Sequence, residues 1–208
     1  MKQKRYYCAA AVLLAAFALW TLAVCTLDVQ PIGPRGSAVG LATLNRAFHA
    51  LTGVHMKVYI ITDWLGLVPV AFGLGFAVLG LVQWIRRGSI LRVERSLLVL
   101  GVFYLAVLGV YLLFETAVVN YRPVLIEGYP EASYPSSTTL LALCVMPTAA
   151  MQLRARIRCR ALTAAIWAFT GFMVIGRLVS GVHWLSDIIG GILLSAGLIA
   201  LYRAACKG

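Results

Sequence analysis

The sequence from Arg177 to Asp187 reads RLVSGVHWLSD and joins the uncharged apolar stretches 161–176 and 188–202. Charged groups beside lipid are costly, so they are rare there and usually functional. If His183 and Asp187 share a helix, they stand one turn apart and can form a hydrogen bond. The carboxylate then leaves the other ring nitrogen of His183 free as a base or nucleophile, and Arg177 can hold a phosphate. The alternative is an Arg–Asp pair that only ties a loop.

The composition indicates an integral membrane protein. Of the 208 residues, 62% are hydrophobic and 12% are charged, whereas a soluble domain is nearer half apolar and a quarter charged. A helix that crosses the lipid core needs about 20 apolar residues. Stretches of this kind predict one all-α domain, residues 1–208, built as a six-helix membrane bundle. They lie at residues 8–27, 59–85, 96–116, 136–153, 161–180 and 185–202.

Basic residues are distributed unevenly over the two sides of this predicted bundle. Thirteen of the 18 fall in residues 2–5, 86–95, 154–160 and 203–207, on the side that holds both termini. The positive-inside rule makes that side cytoplasmic, so the His183 junction faces the periplasm or cell exterior. This topology and the anionic headgroups of membrane lipids account for the net charge of +11. Nucleic acid is therefore not expected as a partner.

The segment 40–57 precedes the second predicted span on the outer side. Leucine and phenylalanine recur there at helical spacing, at positions 41, 44, 48 and 51. This pattern predicts a helix that lies in the membrane interface. A sharper hypothesis is a lid that brings a polar side chain to a lipid headgroup. The candidates for that role are Arg46, His49 and Lys57.

A second polar cluster lies between the third and fourth predicted spans, on the same outer side. It comprises Arg122 with Pro123 and then the run 134–138, YPSST. Pro135 followed by hydroxyl residues is typical of a helix start. Free backbone N–H groups at such a start form an anion site, to which the Ser136 hydroxyl can add a donor. Plain helix capping is the alternative, but the combination with Arg122 and His183 favours a phosphate pocket.

With these motifs the chain resembles the type-2 phosphatidic acid phosphatase superfamily of membrane lipid phosphate phosphatases. That family carries the motifs K-x6-R-P, P-S-G-H and S-R-x5-H-x3-D on the outer ends of a six-helix bundle. The third motif is matched by Arg177, His183 and Asp187, although Gly176 stands in place of its serine. The topological resemblance covers nearly the whole chain.

The first two motifs of the family are matched only in part. Arg122 and Pro123 match the end of the first motif, whose lysine position holds Glu115. The second motif is matched at Pro135 and Ser136, with its glycine and histidine replaced. The replacements are Ser137 and Thr138.

The resemblance implies a mechanism that needs no metal and no cofactor. His183 would attack phosphorus and form a phosphohistidine, while Asp187 would fix its tautomer and stabilise the imidazolium. The phosphoryl oxygens would be held by the remaining site residues and by the backbone amides of the fourth span. Those residues are Arg122, Arg177, Ser136, Ser137 and Thr138.

The family histidine that protonates the leaving group is absent, because Thr138 stands at its position. One explanation is a substrate whose leaving group needs little protonation, such as a lipid diphosphate. A second is a replacement acid, for which Glu115, His49 and His55 are candidates. A third is loss of catalysis, which would leave a protein that binds or transports a lipid phosphate. Transfer of the phosphoryl group to a lipid acceptor is a further alternative.

The sequence thus predicts a lipid phosphatase of a bacterial plasma membrane, with its active site facing outside. A polyprenyl diphosphate such as a cell-wall carrier lipid is the first candidate substrate, and phosphatidic acid or phosphatidylglycerophosphate is the alternative. Membrane lipids are the expected surroundings, and the sequence gives no reason to infer an obligate protein partner.

Overall fold

The computed structural model describes residues 2–207, and these residues form eight α-helices. In this range β-pairing is limited to three isolated bridges between loop residues. The predicted all-α class is therefore confirmed. The helices are α1 Lys2–Thr26, α2 Ala42–Thr52, α3 Met56–Leu65, α4 Leu67–Arg87, α5 Arg95–Thr116, α6 Ser137–Arg156, α7 Arg160–Val179 and α8 Leu185–Ala205.

Five helical segments of the described chain are long and apolar enough to cross a membrane. Long apolar helices of this kind can satisfy all their backbone hydrogen bonds within lipid, so the chain is an integral membrane protein. The segments are Gln3–Thr26, Met56–Arg87, Arg95–Thr116, Arg160–Val179 and Leu185–Ala205.

The sixth predicted span, residues 136–153, corresponds to α6, which is not among those five segments. This helix packs against α4, α5, α7 and α8, and 11 of its 20 residues are buried. Because protein surrounds it, α6 can carry threonines, a glutamine and Pro147 where a lipid-facing helix needs apolar side chains. The crossing of the membrane by α6 remains a prediction.

The second predicted span is interrupted at Gly66, which separates α3 from α4. Helix α3 packs against α7, and Gly176 lies at this contact. A Cβ atom at that position would lie 2.7 Å from the Thr62 methyl carbon. The glycine that replaces the family serine therefore permits α3 to contact α7 beside Arg177.

The first turns of α6 and α8 lie side by side. The Ser136 amide donates to the Asp187 carbonyl at 3.1 Å. The Tyr134 ring fills the space beside Gly190, where a Cβ atom would lie 2.6 Å from it. The hydroxyls of Tyr134 and Thr21 are 2.7 Å apart, which joins this corner to α1. These contacts bring the second and third sequence motifs to one end of the bundle.

The helix predicted within 40–57 is shorter than that segment. It ends at Gly53, whose φ of +65° lies in the region that favours glycine, so Lys57 belongs to the next helix. Asn45 is fully buried although it stands on a helix near the surface. Its amide donates to the Ser186 hydroxyl at 2.9 Å, and its oxygen accepts from the Ser186 N–H at 3.1 Å. Helix α2 is thereby fastened to the start of α8.

Candidate active site

His183 and Asp187 do not share a helix, so the expected contact along one helical turn is wrong. Helix α8 begins at Leu185, and His183 lies in the loop before it. His183 Nδ1 is 4.0 Å from Asp187 Oδ2, too far for a direct hydrogen bond. Both side chains are buried.

Ser133 lies between the two side chains. Its hydroxyl oxygen is 3.0 Å from His183 Nδ1 and donates to Asp187 Oδ2 at 2.5 Å. The backbone N–H of Ser133 donates to the Asn120 carbonyl at 2.9 Å, which fixes the strand-like segment that carries it. The histidine and the aspartate are therefore connected through a third residue.

Asp187 is surrounded by donors on both oxygens. Asn120 Nδ2 donates to Oδ1 at 3.2 Å, and the Trp184 N–H donates to Oδ2 at 3.0 Å. The second of these bonds is part of a capping box at the start of α8. The carboxylate thus holds the helix start and the loop around His183 at the same time.

Several bonds hold the loop that carries His183. Gly181 has a φ of +68°, and its carbonyl is 3.1 Å from His49 Nε2. The His49 ring also packs on Trp184, with 5.5 Å between the ring centroids. Trp184 Nε1 donates to the Tyr121 carbonyl at 2.8 Å. His49 thus supports the loop instead of pointing its ring at the His183 cluster.

Arg177 is buried and contacts two other helices, α3 and α6. Its Nη2 donates to Thr138 Oγ1 at 2.6 Å and to Asp63 Oδ1 at 3.1 Å. Its Nη1 reaches the Thr62 hydroxyl at 3.4 Å. Thr62 thus supplies a hydroxyl to Arg177, and Asp63 provides a carboxylate that is itself more than half exposed.

Arg122 lies near Arg177, and the two guanidinium groups contact the same aromatic ring. The guanidinium carbon of Arg122 lies 5.5 Å from the centroid of the Tyr59 ring, and that of Arg177 lies 4.8 Å from it. The face of an aromatic ring attracts a cation. Arg122 Nε is 3.2 Å from a carboxylate oxygen of Glu131, but the two atoms are not aligned for a hydrogen bond.

Four buried nitrogen atoms of this cluster have no hydrogen-bond partner among the described residues. They are Nε and Nη1 of Arg122, Nε of Arg177 and Nε2 of His183. Buried donors are rarely left unpaired, and a phosphate offers oxygens to such donors. Burial lowers the pKa of His183 well below its usual range, and the charges of Arg122 and Arg177 lower it further. His183 is therefore neutral near pH 7, with a lone pair available on Nε2.

The hydroxyl residues at the start of α6 have separate roles. Ser136 is buried and its Oγ accepts from the Thr139 N–H at 3.5 Å, which caps the helix. Thr138 contacts Arg177, as described above. Ser137 lines a small cavity together with Glu115 and Ser133, and no side-chain hydrogen bond joins it to Arg122 or Arg177 among the described residues. Ser137 is thus not brought to the arginines in this structure, and neither is Glu115, which is exposed.

The remaining candidates of the outer segment also form contacts elsewhere. Arg46 is exposed and donates to Gln30 Oε1 at 3.2 Å. His55 is exposed, and its Nε2 lies 2.9 Å from the Thr52 carbonyl. Lys57 is exposed on α3. Among the described contacts, none of the three side chains joins the His183 cluster.

Sequence reasoning missed Ser133, Asn45 and Tyr59 as parts of this site. It placed Asn120 in the second polar cluster and Asp63 near the end of the second span, but gave neither a role. For Asn45 a signal existed, because it stands four residues after Leu41 and three before Phe48, on the apolar stripe of α2. A polar residue on a buried stripe indicates a specific partner. Ser133 gave no comparable signal, because its partners lie 50 and 54 residues away in the sequence.

Comparison with known proteins identifies the family. A family model described as the PAP2 superfamily matches residues 103–206, which is half of the chain. This chain belongs to the PAP2 superfamily. The match contains both sequence motifs that carry His183 and Arg122, whereas α2 and α3 lie outside it.

A solved structure shares the PAP2 fold of this chain. It is the crystal structure of a transmembrane PAP2-type phosphatidylglycerolphosphate phosphatase from Bacillus subtilis. The similarity has a TM-score of 0.57, covers 96% of each chain and accompanies 19% sequence identity. A search of curated proteins gave no significant match. Family membership supports a membrane phosphoric ester hydrolase.

Proposed function

We propose that this PAP2 protein hydrolyses a lipid diphosphate at the outer face of a membrane, with His183 as the nucleophile. The observation that carries the proposal is the group of unpaired nitrogen atoms on Arg122, Arg177 and His183, all of them buried. Two guanidinium groups beside a neutral imidazole fit a phosphoryl group that must be held and attacked at once.

In the proposed first step, the lone pair on His183 Nε2 forms a bond to the terminal phosphorus. The bond from that phosphorus to the bridging oxygen breaks, and its electron pair stays on the leaving lipid monophosphate. Arg122 and Arg177 stabilise the charge that spreads over the phosphoryl oxygens. In the second step water attacks phosphorus, and the bond from phosphorus to Nε2 breaks with its electron pair left on the nitrogen. Inorganic phosphate leaves with the hydroxyl of that water, the remaining proton passes to the phosphate or to solvent, and His183 is neutral again. No step is assigned to a metal or cofactor.

The choice of a diphosphate rests on Thr138. Its hydroxyl is bound to Arg177 Nη2 at 2.6 Å, and a threonine cannot protonate a leaving alkoxide near neutral pH. A lipid monophosphate is a much weaker base than an alkoxide and leaves without that help. A polyprenyl diphosphate is therefore our first substrate, ahead of phosphatidic acid and phosphatidylglycerophosphate.

The absence of a proton donor at position 138 also favours a second candidate function. In this case the protein binds lipid phosphate without hydrolysing it. The arginine pair would bind the headgroup equally well in either case. The two candidates differ in turnover, because only the enzyme releases inorganic phosphate.

We also propose that α6 crosses the membrane as the sixth span and that both termini are cytoplasmic. The distribution of basic residues supports this orientation. Contacts at the opposite end of the bundle from His183 include the ion pair of Arg156 with Glu94 and the hydrogen bond from Gln3 to the Ala204 carbonyl. The basic loops are thus gathered at one end and the candidate site at the other.

The decisive test is phosphate release from a panel of lipids by the purified protein and by His183→Ala. We expect the wild type to release phosphate from polyprenyl diphosphate and the variant to be inactive. We expect kcat for phosphate release to fall on the order of 10⁴-fold or more, because removal of the nucleophile prevents formation of the phosphohistidine. Quenching with alkali during turnover should trap phosphate on the wild-type protein alone, because a phosphohistidine is stable to alkali and is hydrolysed in acid.

Arg86→Ala is a suitable control, because Arg86 is an exposed residue at the basic end of α4. It should retain full activity and should report any general effect of purification. Full activity of His183→Ala would refute the nucleophile. Lipid binding by the wild type without phosphate release from any lipid would favour the binding protein.

A further inference from the structure

We infer that Ser133 is a positioning residue that couples His183 to Asp187 and fixes the tautomer of the histidine. The effect on catalysis rests on the proposed function, whereas the hydrogen bonds involve only the side chains of Ser133, His183 and Asp187. The two end groups are too far apart for a direct bond, at 4.0 Å, and the Ser133 hydroxyl is within hydrogen-bond distance of both.

The direction of the two hydrogen bonds follows from the donors around Asp187. Its oxygens already accept from the Trp184 N–H and from Asn120 Nδ2. The serine has one hydroxyl proton and donates it to Asp187 Oδ2. The Ser133 oxygen can then only accept from His183, so the proton of the neutral imidazole must lie on Nδ1.

The consequence appears at the opposite ring nitrogen. With the proton on Nδ1, the lone pair of the imidazole is on Nε2, which is buried and has no partner among the described residues. A reversed tautomer would place a hydrogen on Nε2 and block attack on phosphorus. Ser133 thus keeps the nucleophilic nitrogen unprotonated.

The same connection stabilises the intermediate. When Nε2 bonds to phosphorus, the ring becomes a cation that still carries its proton on Nδ1. The bond to Ser133 then becomes charge-assisted and shortens, and the serine transmits the charge to Asp187 through its own hydroxyl. No proton needs to leave Nδ1 in this step.

The surroundings of Ser133 restrict its motion, as a positioning role requires. The residue is 2% exposed and its N–H is bonded to the Asn120 carbonyl. The side chain of Asn120 is bonded to Asp187 as well. The next residue, Tyr134, is packed beside Gly190 of α8. The serine is therefore held on the same frame as the carboxylate.

The first test is the tautomer of His183 in the purified protein, read from the ring ¹⁵N shifts with isotope-labelled histidine. The chain contains three histidines, and His183→Ala identifies the relevant signals. We expect a proton on Nδ1 of His183 in the wild type and a larger share of the other tautomer in Ser133→Ala. A wild-type proton on Nε2 overturns the inference without any variant.

The second test is kinetic and uses Ser195→Ala as the matched control. Ser195 is also a buried serine, and its hydroxyl donates to the Gly191 carbonyl within α8. Ser133→Ala should lower kcat by about 10- to 100-fold, the range found when the group behind a metal-ligating histidine is removed. KM and inhibition by sulfate, a phosphate analogue that forms no bond to the nucleophile, should change less than about twofold, because uniform binding is retained. Ser133→Thr, which keeps the hydroxyl, should recover most of the loss.

The outcomes separate this inference from the proposed function. A wild type that releases no phosphate, but whose tautomer depends on Ser133, refutes the hydrolase and supports the positioning role. Normal kcat and an unchanged tautomer in Ser133→Ala overturn the positioning role while the hydrolase stands. Equal losses in Ser133→Ala and Ser195→Ala, with weaker sulfate binding, would indicate a structural role and also overturn it.

Discussion

Thr138 determines, at the scale of single residues, which leaving groups the proposed site can expel. General acid catalysis is typically worth 10²- to 10⁴-fold, and a site without the donor loses that factor on an alkoxide. We therefore expect kcat/KM for a lipid diphosphate to exceed that for a lipid monophosphate by about 10²-fold or more. Phosphate release from matched lipids of one chain length measures this ratio.

The donor can be restored with the double variant Ser137→Gly, Thr138→His, which recreates the family motif. It should raise the rate on monophosphates more than the rate on diphosphates. Ser137→Gly alone and Thr138→Val alone are the controls, since Thr138→Val also breaks the 2.6 Å bond to Arg177. Equal natural rates on both classes would contradict the leaving-group argument and point to Glu115, His49 or His55 as a substitute acid.

The buried imidazole of His183 predicts a dependence of stability on pH. Its folded-state pKa lies well below that of an unfolded histidine, about 6.5. Between the two values the unfolded chain binds the extra proton, so stability is complete above about pH 6.5 and falls as the pH decreases below it. The thermal midpoint of the wild type should exceed that of His183→Gln by more at about pH 7.5 than at about pH 5.5, because only the wild type loses this contribution on acidification. A constant difference would contradict the lowered pKa.

The sequence was informative for residues whose chemistry is unusual in a membrane protein. The sequence identified Arg177, His183 and Arg122, because ionisable groups beside lipid are costly and usually functional. The structure brings all three side chains together. Ser133 was not found, because a serine in a polar loop is ordinary until its distant partners are known. The assumption of a shared helix for His183 and Asp187 failed because the capping box starts α8 only after the histidine.

At the scale of elements, α2 depends on one buried side chain for its attachment to the site. Asn45 makes hydrogen bonds to Ser186 and to the Gly40 carbonyl. Asn45→Ala leaves the buried Ser186 N–H and hydroxyl without this partner, at a cost of about 1–3 kcal/mol. We expect a lower thermal midpoint and a lower kcat, because Ser186 adjoins Asp187. Ala50→Ser, at an exposed position of the same helix, is the control and should change neither value.

Helix α6 illustrates how far hydropathy predicts elements. Its bounds, 137–156, lie close to the predicted 136–153, because Pro135 and Ser136 give a clear start. Its low hydropathy follows from its central position, where Gln152 is bonded to Tyr202 and Thr148 to Tyr104. The break at Gly66 in the second span was not predicted, because the apolar pattern continues through it.

At the scale of the whole molecule, the bundle separates two kinds of charge. The arginines of the candidate site are buried at one end, and the exposed basic loops are at the other. Composition predicted the helical membrane class correctly, because a chain with 12% charged residues cannot form an ordinary soluble surface. The proposed orientation of the bundle, with both termini in the cytoplasm, rests on the loop charges alone.

The orientation predicts which loops a membrane-impermeant thiol reagent can reach in intact cells. Cys159 lies exposed in the basic loop between α6 and α7, and Glu127 lies exposed in the loop between α5 and α6. In a chain that retains only Cys159, labelling should require broken cells. In a chain that has only Glu127→Cys, intact cells should be labelled at once. Both variants must first release phosphate as the wild type does, so that each is known to be folded.

The comparison of the two loops also tests where the proposed chemistry takes place. Glu127 is in the same loop as Arg122 and Ser133, so the side that labels Glu127→Cys is the side from which the headgroup must approach. Labelling of Glu127→Cys from outside would agree with a polyprenyl diphosphate whose headgroup lies on the outer side of the membrane. The reverse pattern would put His183 in the cytoplasm and rule out that substrate, while the hydrogen bonds among Ser133, His183 and Asp187 would be unaffected. Labelling of both loops from outside would mean that α6 does not cross the membrane, in agreement with its low hydropathy and against the six-span topology.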